Sequence, residues 1–344
     1  MKTDLFNYDL PPELIAQHPP ERRELARMMV LHRDSGKIEH RHITDIVDYL
    51  HEPDVLVLNN TKVIPARIFG HKAASGGKIE LLLLEETSSK VWNVLMKTSR
   101  RPKEGDELLL CSGKAKATML KEGEQGEALL RIESERPLME ILDEEGVPPL
   151  PPYIARKEQT KEQIEEDKNR YQTVYASEPG AAAAPTAGLH FTPQIFQSLE
   201  KQGVSKAELT LHVGLGTFRP VSAEIITDHE MHYERYAVSK TAADTISKAR
   251  ATGGKIVAVG STSVRTLESL PDIGRSEGTT NIFIYPPYKF KNVDAILTNF
   301  HLPKSTLLMM MSAFADRDLM INAYKTAVQE KYRFFSYGDC MLIL

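Results

Sequence analysis

Short strand-like segments fill residues 66–150 and constrain the fold more than any other feature of the sequence. About six runs, RIFGHK, KIELLLLEE, VWNVLMKT, DELLLCS, KAKATML and EALLRIES, are separated by Gly, Ser and charged residues. Strands of this length and spacing are typical of a small antiparallel barrel. A short helical pattern, PLMEILDEE, and the Pro-rich segment VPPLPPYI follow, and they suit a domain boundary.

Helix and strand patterns alternate on both sides of this region. DVLVLNN, KIVAVG and DAILTNF are predicted strands, whereas LPPELIAQ, ITDIVDYL and STLLMMMSAF are predicted helices. Such alternation favours an α/β fold. We therefore predict a mixed α/β core from residues 1–65 and 151–344, with an inserted antiparallel β-barrel domain from residues 66–150.

Composition excludes several classes of protein. The chain has 344 residues, 41% of them hydrophobic, which is enough for two packed domains. No apolar run is long enough for a membrane span, and MKTDLFNYDL does not resemble a signal peptide. Cys111 and Cys340 lack the spacing of metal ligands, so we expect a reducing, cytoplasmic setting. The net charge of −4 means that any RNA must bind through a local basic patch.

The segment VAVGSTSVRTLES gives the strongest local signal for a ligand site. A buried strand ends at Gly260, and Ser261, Thr262 and Ser263 are predicted to cap the next helix, with Arg265 in its first turn. This geometry directs free N–H groups at the carboxyl edge of a sheet, where an anion such as an amino-acid carboxylate can bind. A well-capped helix without a ligand is an equally good interpretation of this segment alone.

Two loops add polar groups at other strand ends. AAAAPTAGLHFTP combines small residues, which allow close approach to a ligand, with Thr186 and His190. LTLHVGLGTFRPV places His212 on the polar face of a strand and Arg219 beyond its end, but it is not a dinucleotide-binding fingerprint. An ordinary Ala-rich loop and a strand with one polar face are the alternatives.

The histidines of DHEMHYE resemble a metal site only superficially. His229 and His232 lie in a loop that does not present both rings on one face, so no metal site is predicted. An acid–base role for one histidine is the functional interpretation. A solvated, hydrogen-bonded histidine is the alternative.

Aromatic and basic residues near the C-terminal third suit contact with RNA. IFIYPPYKF sets aromatic rings beside Lys289 and Lys291, as in base-stacking surfaces, although a packed Pro-rich loop fits equally well. TNFHLPKS places His301 at another strand end. The basic run Lys97, Arg100, Arg101 and Lys103 is a further candidate patch, and a solvated surface run is the alternative.

Eight segments in series resemble one family. LVLNNTKVIPAR, APTAGLHFT, LHVGLGTFRPV, DHEMHYE, VGSTSVRTLES, IYPPYKF, TNFHLPKSTLL and YRFFSYGDCMLI occur in this order over nearly the whole chain. They resemble the S-adenosylmethionine:tRNA ribosyltransferase-isomerases of queuosine biosynthesis. RRELAR at 22–27, Ala181–Ala182, Ser261 and Cys340 depart from the family pattern, but these changes are small or peripheral.

The resemblance implies a definite reaction. S-adenosylmethionine is consumed as the ribosyl donor, and the acceptor is 7-aminomethyl-7-deazaguanine at the wobble position of tRNA. The product is epoxyqueuosine in tRNA, with adenine and methionine released. The resemblance implies no metal and no other cofactor, and we expect a monomer whose partners are tRNA and S-adenosylmethionine.

Roles follow from this resemblance as hypotheses. The chemistry needs a base and an acid, since the sulfonium acidifies the adjacent ribose carbon. The catalytic candidates are His190, His212, His229 and His301, with Asp228 as an orienting carboxylate. The candidates for substrate binding are Thr186, Arg219, Thr262, Ser263, Arg265, Tyr285, Tyr288 and Asn299. The candidates for tRNA contact are Lys62, Arg67, Lys289 and Lys304.

Two other functions are compatible with the sequence. An S-adenosylmethionine-dependent RNA methyltransferase would share the donor but would leave adenosine joined to sulfur. A non-catalytic RNA-binding module would use the barrel as its binding surface. Release of free adenine distinguishes the ribosyl transfer from both.

Overall fold

Helices and strands are mixed along most of the chain, whereas the region between residues 67 and 134 is rich in strands. The computed structural model describes residues 1–156, 160–214, 221 and 223–344. The β-strands in these residues are β1 (Arg27–Leu31), β2 (Ile38–His42), β3 (Val55–Asn59), β4 (Thr61–Val63), β5 (Arg67–Lys72), β6 (Lys78–Ser88), β7 (Val91–Thr98), β8 (Glu107–Leu110), β9 (Ala115–Glu122), β10 (Glu127–Ser134), β11 (Glu178–Ala181), β12 (Ser205–Leu211), β13 (Glu234–Val238), β14 (Ile256–Val259), β15 (Ser276–Thr280), β16 (Ala295–Asn299) and β17 (Cys340–Ile343). The α-helices are α1 (Leu138–Glu145), α2 (Lys161–Arg170), α3 (Pro193–Lys201), α4 (Lys240–Ala251), α5 (Gly260–Ser269), α6 (Thr306–Ala315) and α7 (Arg317–Gln329).

Parallel strands form the centre of the larger sheet. Its nine strands run in the order β15-β13-β12-β3-β14-β16-β17-β1-β2. Neighbours from β12 to β16 are parallel, and β17 is antiparallel to β16. The central strand β3 has the sequence VLVLN and is buried throughout, as expected for a parallel strand covered on both faces.

Helices cover both faces of this sheet. Val55 and Val57 of β3 belong to the apolar core that includes residues of α4–α7. The alternate residues, Leu56 and Leu58, belong to a second core with residues of α3. The period-2 alternation of β3 therefore sends its side chains into two separate cores.

The six strands β5–β10 close into a barrel, in the order β10-β7-β6-β5-β8-β9. All of their pairings are antiparallel. Apolar side chains such as Leu81, Leu83 and Trp92 fill the interior. The predicted α/β class and the predicted antiparallel barrel are confirmed.

Two predicted helices are instead short 3-10 turns. LPPELIAQ contains only the turn Pro12–Leu14, and ITDIVDYL contains the turn Ile43–Asp48. In the first segment, Pro11 and Pro12 have no backbone N–H to donate. In the second, the six residues Ile43–Asp48 are too few to offset the free-energy cost of nucleating an α-helix.

Candidate active site

Three chain segments form much of the wall of a cavity of about 120 Å³ at the carboxyl edge of the parallel strands. Residues 260–262 follow β14, residues 298–303 end and follow β16, and residues 183–187 form a third wall. The carboxyl ends of parallel strands meet at one edge of a sheet, and ligands of α/β proteins bind there. The cavity is therefore the place where predicted strand-end residues can act together.

Four of the predicted substrate or catalytic residues line this cavity: Thr186, Thr262, Asn299 and His301. Thr262 Oγ1 and Asn299 Oδ1 are buried, and neither has a hydrogen-bond partner in the described part of the chain. Leaving a buried polar atom unpaired costs about 1–3 kcal/mol. A ligand with suitable polar groups would remove that cost.

His301 is a neutral imidazole in the cavity wall. It is 8% exposed, and its Nε2 lies 2.8 Å from Thr298 Oγ1. Its backbone N–H donates to Tyr324 Oη at 3.0 Å, and its carbonyl accepts from Tyr8 Oη. Burial lowers the pKa of His301 to about 3, so the ring is uncharged at neutral pH.

His190 lies behind the cavity and contacts it through Asn299. Asn299 Nδ2 lies 3.1 Å from His190 Nε2, so the amide donates to the ring. Burial, with smaller effects of the positive charges of Arg333 and Arg23, lowers the pKa of His190 to about 3. His190 is therefore neutral, and its contact with Asn299 suits a role in holding that amide.

His212 is separate from the cavity and faces the barrel. Its Nδ1 lies 2.9 Å from Thr61 Oγ1, just after the end of β3. Burial and the positive charge of Arg235 lower the pKa of His212, while Glu178 acts in the opposite direction. When Nδ1–H donates to Thr61, Nε2 is left as a proton acceptor.

A cleft of about 930 Å³ separates the barrel from the large sheet. Lys62 and Pro179, of the small parallel pair β4 and β11, line it opposite the barrel together with His212, which follows β12 of the large sheet. Trp92 and Arg136 line it on the side of the barrel. The cleft has room for a larger ligand than the cavity, and His212 belongs to its wall.

A groove beyond the end of β12 shares wall residues with both the cavity and the cleft. Val213 lines the cavity. Together with His212 and Gly214, Val213 also lines this groove, which reaches Leu84 and Asn93 of the barrel. Because His212 lines both this groove and the cleft, one short segment forms a wall of all three spaces.

Helix α5 begins differently from the prediction. It starts at Gly260, with Val259 as N-cap and no side-chain capping bond. The prediction that Ser261, Thr262 and Ser263 cap the helix is wrong. The helix starts early, so these hydroxyls lie inside its first turn, where Ser263 Oγ donates back to the Val259 carbonyl at 3.0 Å.

Arg265 forms a buried ion pair with Glu234. The two side chains are 5% and 4% exposed. Arg265 Nε and Nη2 have no partner among the described residues. The backbone N–H of Gly214 donates to the same carboxylate at 3.2 Å, which ties the end of β12 to this pair. The other predicted carboxylate ligand, Arg219, lies outside the described residues.

A second group of predicted residues is not part of the cavity wall. His229 and Tyr285 both pack edge-on against Phe283, with ring centroids 5.5 and 4.8 Å away. Asp228 is exposed, and Tyr288 packs edge-on against another ring of the same loop. Burial and a neighbouring histidine lower the pKa of His229. The structure does not bring these four side chains to the strand ends.

The sequence predicts four basic contacts to tRNA: Lys62, Arg67, Lys289 and Lys304. Lys62 lines the cleft, and Lys289 is exposed elsewhere. Arg67 and Lys304 pair with Glu80 and Asp4. Lys62 is therefore the one of these four that lies in the cleft.

Sequence reasoning missed three residues of the cavity wall, Tyr153, Phe335 and Ser336. Tyr153 belongs to the Pro-rich segment VPPLPPYI, whose composition indicates a domain boundary and no ligand contact. Phe335 and Ser336 belong to YRFFSYGDC, one of the segments that resemble the family, and this resemblance is the signal that points to them.

The described residues contain no group of three or more His, Cys, Asp or Glu side chains that could hold a metal ion. None of the described helices is both long and apolar enough to cross a membrane. Cys111 and Cys340 are buried and do not form a disulfide.

The fold and the site define a class of protein. It is an α/β protein with a ligand cavity at the carboxyl edge of its parallel strands and an antiparallel barrel across a cleft. Residues 3–343 match the family model described as Queuosine biosynthesis protein, and the chain belongs to that family. The family predicted from the sequence is confirmed.

A solved structure extends this comparison to the full fold. The chain is similar to an S-adenosylmethionine tRNA ribosyltransferase from Thermotoga maritima, whose crystal structure was determined at 2.00 Å resolution. The two sequences are 40% identical, and the match covers 99% of this chain and 100% of that chain, with a TM-score of 0.56.

Proposed function

We propose that the protein transfers the ribosyl moiety of S-adenosylmethionine to 7-aminomethyl-7-deazaguanine at the wobble position of tRNA and isomerises it there. Epoxyqueuosine in tRNA, adenine and methionine are the products. The observation that carries the proposal is that adjacent residues line a small cavity and a large open cleft: Val213 lines the cavity and His212 lines the cleft. A reaction between a small donor and a nucleotide in a large RNA needs two such spaces. The full-length likeness to a tRNA ribosyltransferase supports it.

The cavity holds S-adenosylmethionine in this proposal. Residues 183–187 and Gly260 are small, so the backbone can approach the substrate closely. Thr262 Oγ1 and the amino end of α5 provide hydrogen-bond donors for the methionine carboxylate. Ser263 and Arg265 support this helix from within, since both are engaged in bonds inside the protein.

The cleft holds the acceptor nucleotide. Its aminomethyl group is an ammonium ion in water and must lose a proton before it can attack carbon. His212 is the proposed proton acceptor, because its lowered pKa keeps it neutral and Thr61 orients the ring. Lys62 is the proposed phosphate contact in this cleft.

His301 is the proposed proton-transfer group for the donor. It lines the cavity and is neutral at the start of the reaction. Removal of a proton beside the sulfonium leads to loss of adenine, and a buried site keeps water from the reactive intermediate. His190 is proposed as a positioning residue, since it acts through Asn299.

Histidine variants test these roles. His212→Gln and His301→Gln are expected to lower turnover by about 100-fold or more, as measured by mass spectrometry of the modified nucleoside in tRNA. His229→Gln, outside the cavity wall, is expected to retain normal turnover and serves as the matched control. Normal rates in both of the first two variants would overturn the assigned roles. Formation of S-adenosylhomocysteine would favour a methyltransferase instead.

A further inference from the structure

Phe335 has an unusual backbone conformation at the edge of the cavity. Its φ is +71°, a region that bulky residues rarely adopt. Its N–H donates to the Phe300 carbonyl at 3.1 Å. Its own carbonyl accepts from Asn299 Nδ2 at 3.0 Å and from the Gly338 N–H at 2.9 Å. The surrounding structure therefore fixes a conformation that the residue would not choose alone, and such strain clusters at ligand sites.

This conformation builds a flat aromatic surface in the cavity wall. The Phe335 ring stacks on Tyr153, with centroids 4.4 Å apart and planes 24° from parallel. Tyr153 Oη bonds to Ser336 Oγ at 2.6 Å, which fixes the second ring. Both rings line the cavity. A third planar ring can extend this stack.

Asn299 offers a fixed hydrogen-bond acceptor in the same cavity. Its Nδ2 donates to His190 and to the Phe335 carbonyl, so the orientation of the amide is set. Its Oδ1 is buried without a partner among the described residues, and the side chain is only 3% exposed. An acceptor beside an aromatic surface suits a planar heterocycle that carries an N–H donor.

We infer that Tyr153, Phe335 and Asn299 form the adenine subsite of the cavity. The adenine ring extends the aromatic stack, and its exocyclic amino group donates to Asn299 Oδ1. This inference rests on the proposed function, because it takes S-adenosylmethionine as the ligand. It assigns the part of the cavity wall at Thr262 to the methionine end.

Ligand analogues test the subsite in the unmodified protein. 5′-Methylthioadenosine and 5′-methylthioinosine differ at the position that faces Asn299, where the inosine form has an oxygen in place of the amino group. Calorimetry is expected to show the inosine form binding at least about tenfold more weakly, because it leaves Oδ1 unpaired. L-Methionine is expected not to displace the adenosine form. Equal affinities, no binding of the adenosine form, or displacement by methionine would overturn the inference.

Variants provide a second test. Tyr153→Leu is expected to weaken binding of 5′-methylthioadenosine about tenfold or more, whereas Phe69→Leu, at an exposed ring of the barrel, is expected to have no effect. Unchanged affinity in a folded Tyr153→Leu protein would contradict the subsite. If adenine is released from S-adenosylmethionine but the two nucleosides bind equally, the subsite is wrong and the proposed function stands. If the protein binds 5′-methylthioadenosine more tightly than 5′-methylthioinosine but releases no adenine from S-adenosylmethionine, the subsite stands and the proposed ribosyl transfer is wrong.

Discussion

Two histidines at the site are held neutral by burial, and this has a consequence for stability. His190 and His301 each have a pKa of about 3 in the folded protein, against an ordinary value of 6.5. Between these values the unfolded chain binds a proton that the folded protein does not. Acidification below pH 6.5 therefore lowers the free energy of unfolding, by about 1.4 kcal/mol per pH unit for each ring.

The variant His301→Gln removes one of these two groups. The free energy of unfolding is expected to fall less steeply with acidification than in the unmodified protein, by about 1.4 kcal/mol per pH unit between pH 6.5 and 4. Urea denaturation at several pH values measures the two slopes. Parallel slopes would mean that His301 is protonated in the folded protein.

The buried pair of Arg265 and Glu234 gives a second prediction. Glu234→Gln is expected to lower the free energy of unfolding by about 3–5 kcal/mol, because it leaves the arginine charge without its buried carboxylate. Asp244→Asn breaks an exposed pair with Lys240 and is the matched control, with little change expected. Denaturant unfolding of both variants measures the difference, and equal effects would contradict this account.

The close approach of β5 and β8 in the barrel depends on a glycine. A Cβ at Gly70 would lie 2.3 Å from the Leu109 carbonyl oxygen, so Gly70→Ala must separate the strands. The expected loss of stability is more than about 2 kcal/mol. A Cβ at Gly274 would meet no atom of the described residues outside its own neighbours within 4 Å. Gly274→Ala is therefore expected to change the free energy of unfolding by less than about 0.5 kcal/mol. Thermal unfolding compares the two variants. An unchanged thermal stability of Gly70→Ala would contradict this close contact between the strands.

Most elements could be predicted from periodicity, and the errors have local causes. The parallel strands and the barrel strands carry period-2 or continuous apolar patterns, which depend on neighbouring residues alone. The 3-10 turn at Ile43–Asp48 has the apolar pattern of a helix but not the length. Helix α5 starts at Gly260, whose φ is +83°, so the hydroxyls that the sequence predicts as caps lie inside the helix.

The site was predictable where it follows from the edge of a parallel sheet. Thr262, Asn299 and His301 lie at or within three residues of the ends of β14 and β16, so topology brings them together. Tyr153 and Phe335 meet across the sequence through a backbone conformation that no local pattern indicates. The bounds 66–150 of the inserted domain and the monomeric state stay predictions.

The acidic chain as a whole predicts that tRNA contacts are local. Lys62→Ala, in the cleft, is expected to reduce the slope of log affinity against log salt for tRNA by about 1. Lys248→Ala, on the exposed side of α4, is the matched control with an unchanged slope. Filter binding at several salt concentrations measures both slopes. Equal slopes for the two variants would mean that Lys62 does not contact a tRNA phosphate.

Ribosyl transfer is tested most directly by the stoichiometry of the released products. Purified protein is mixed with S-adenosylmethionine and with tRNA that either carries or lacks the 7-aminomethyl base, and free adenine and methionine are quantified by chromatography. Ribosyl transfer predicts equal amounts of both products, formed only with the modified tRNA. Methionine or S-adenosylhomocysteine without adenine, or adenine release that does not depend on the base, would contradict it.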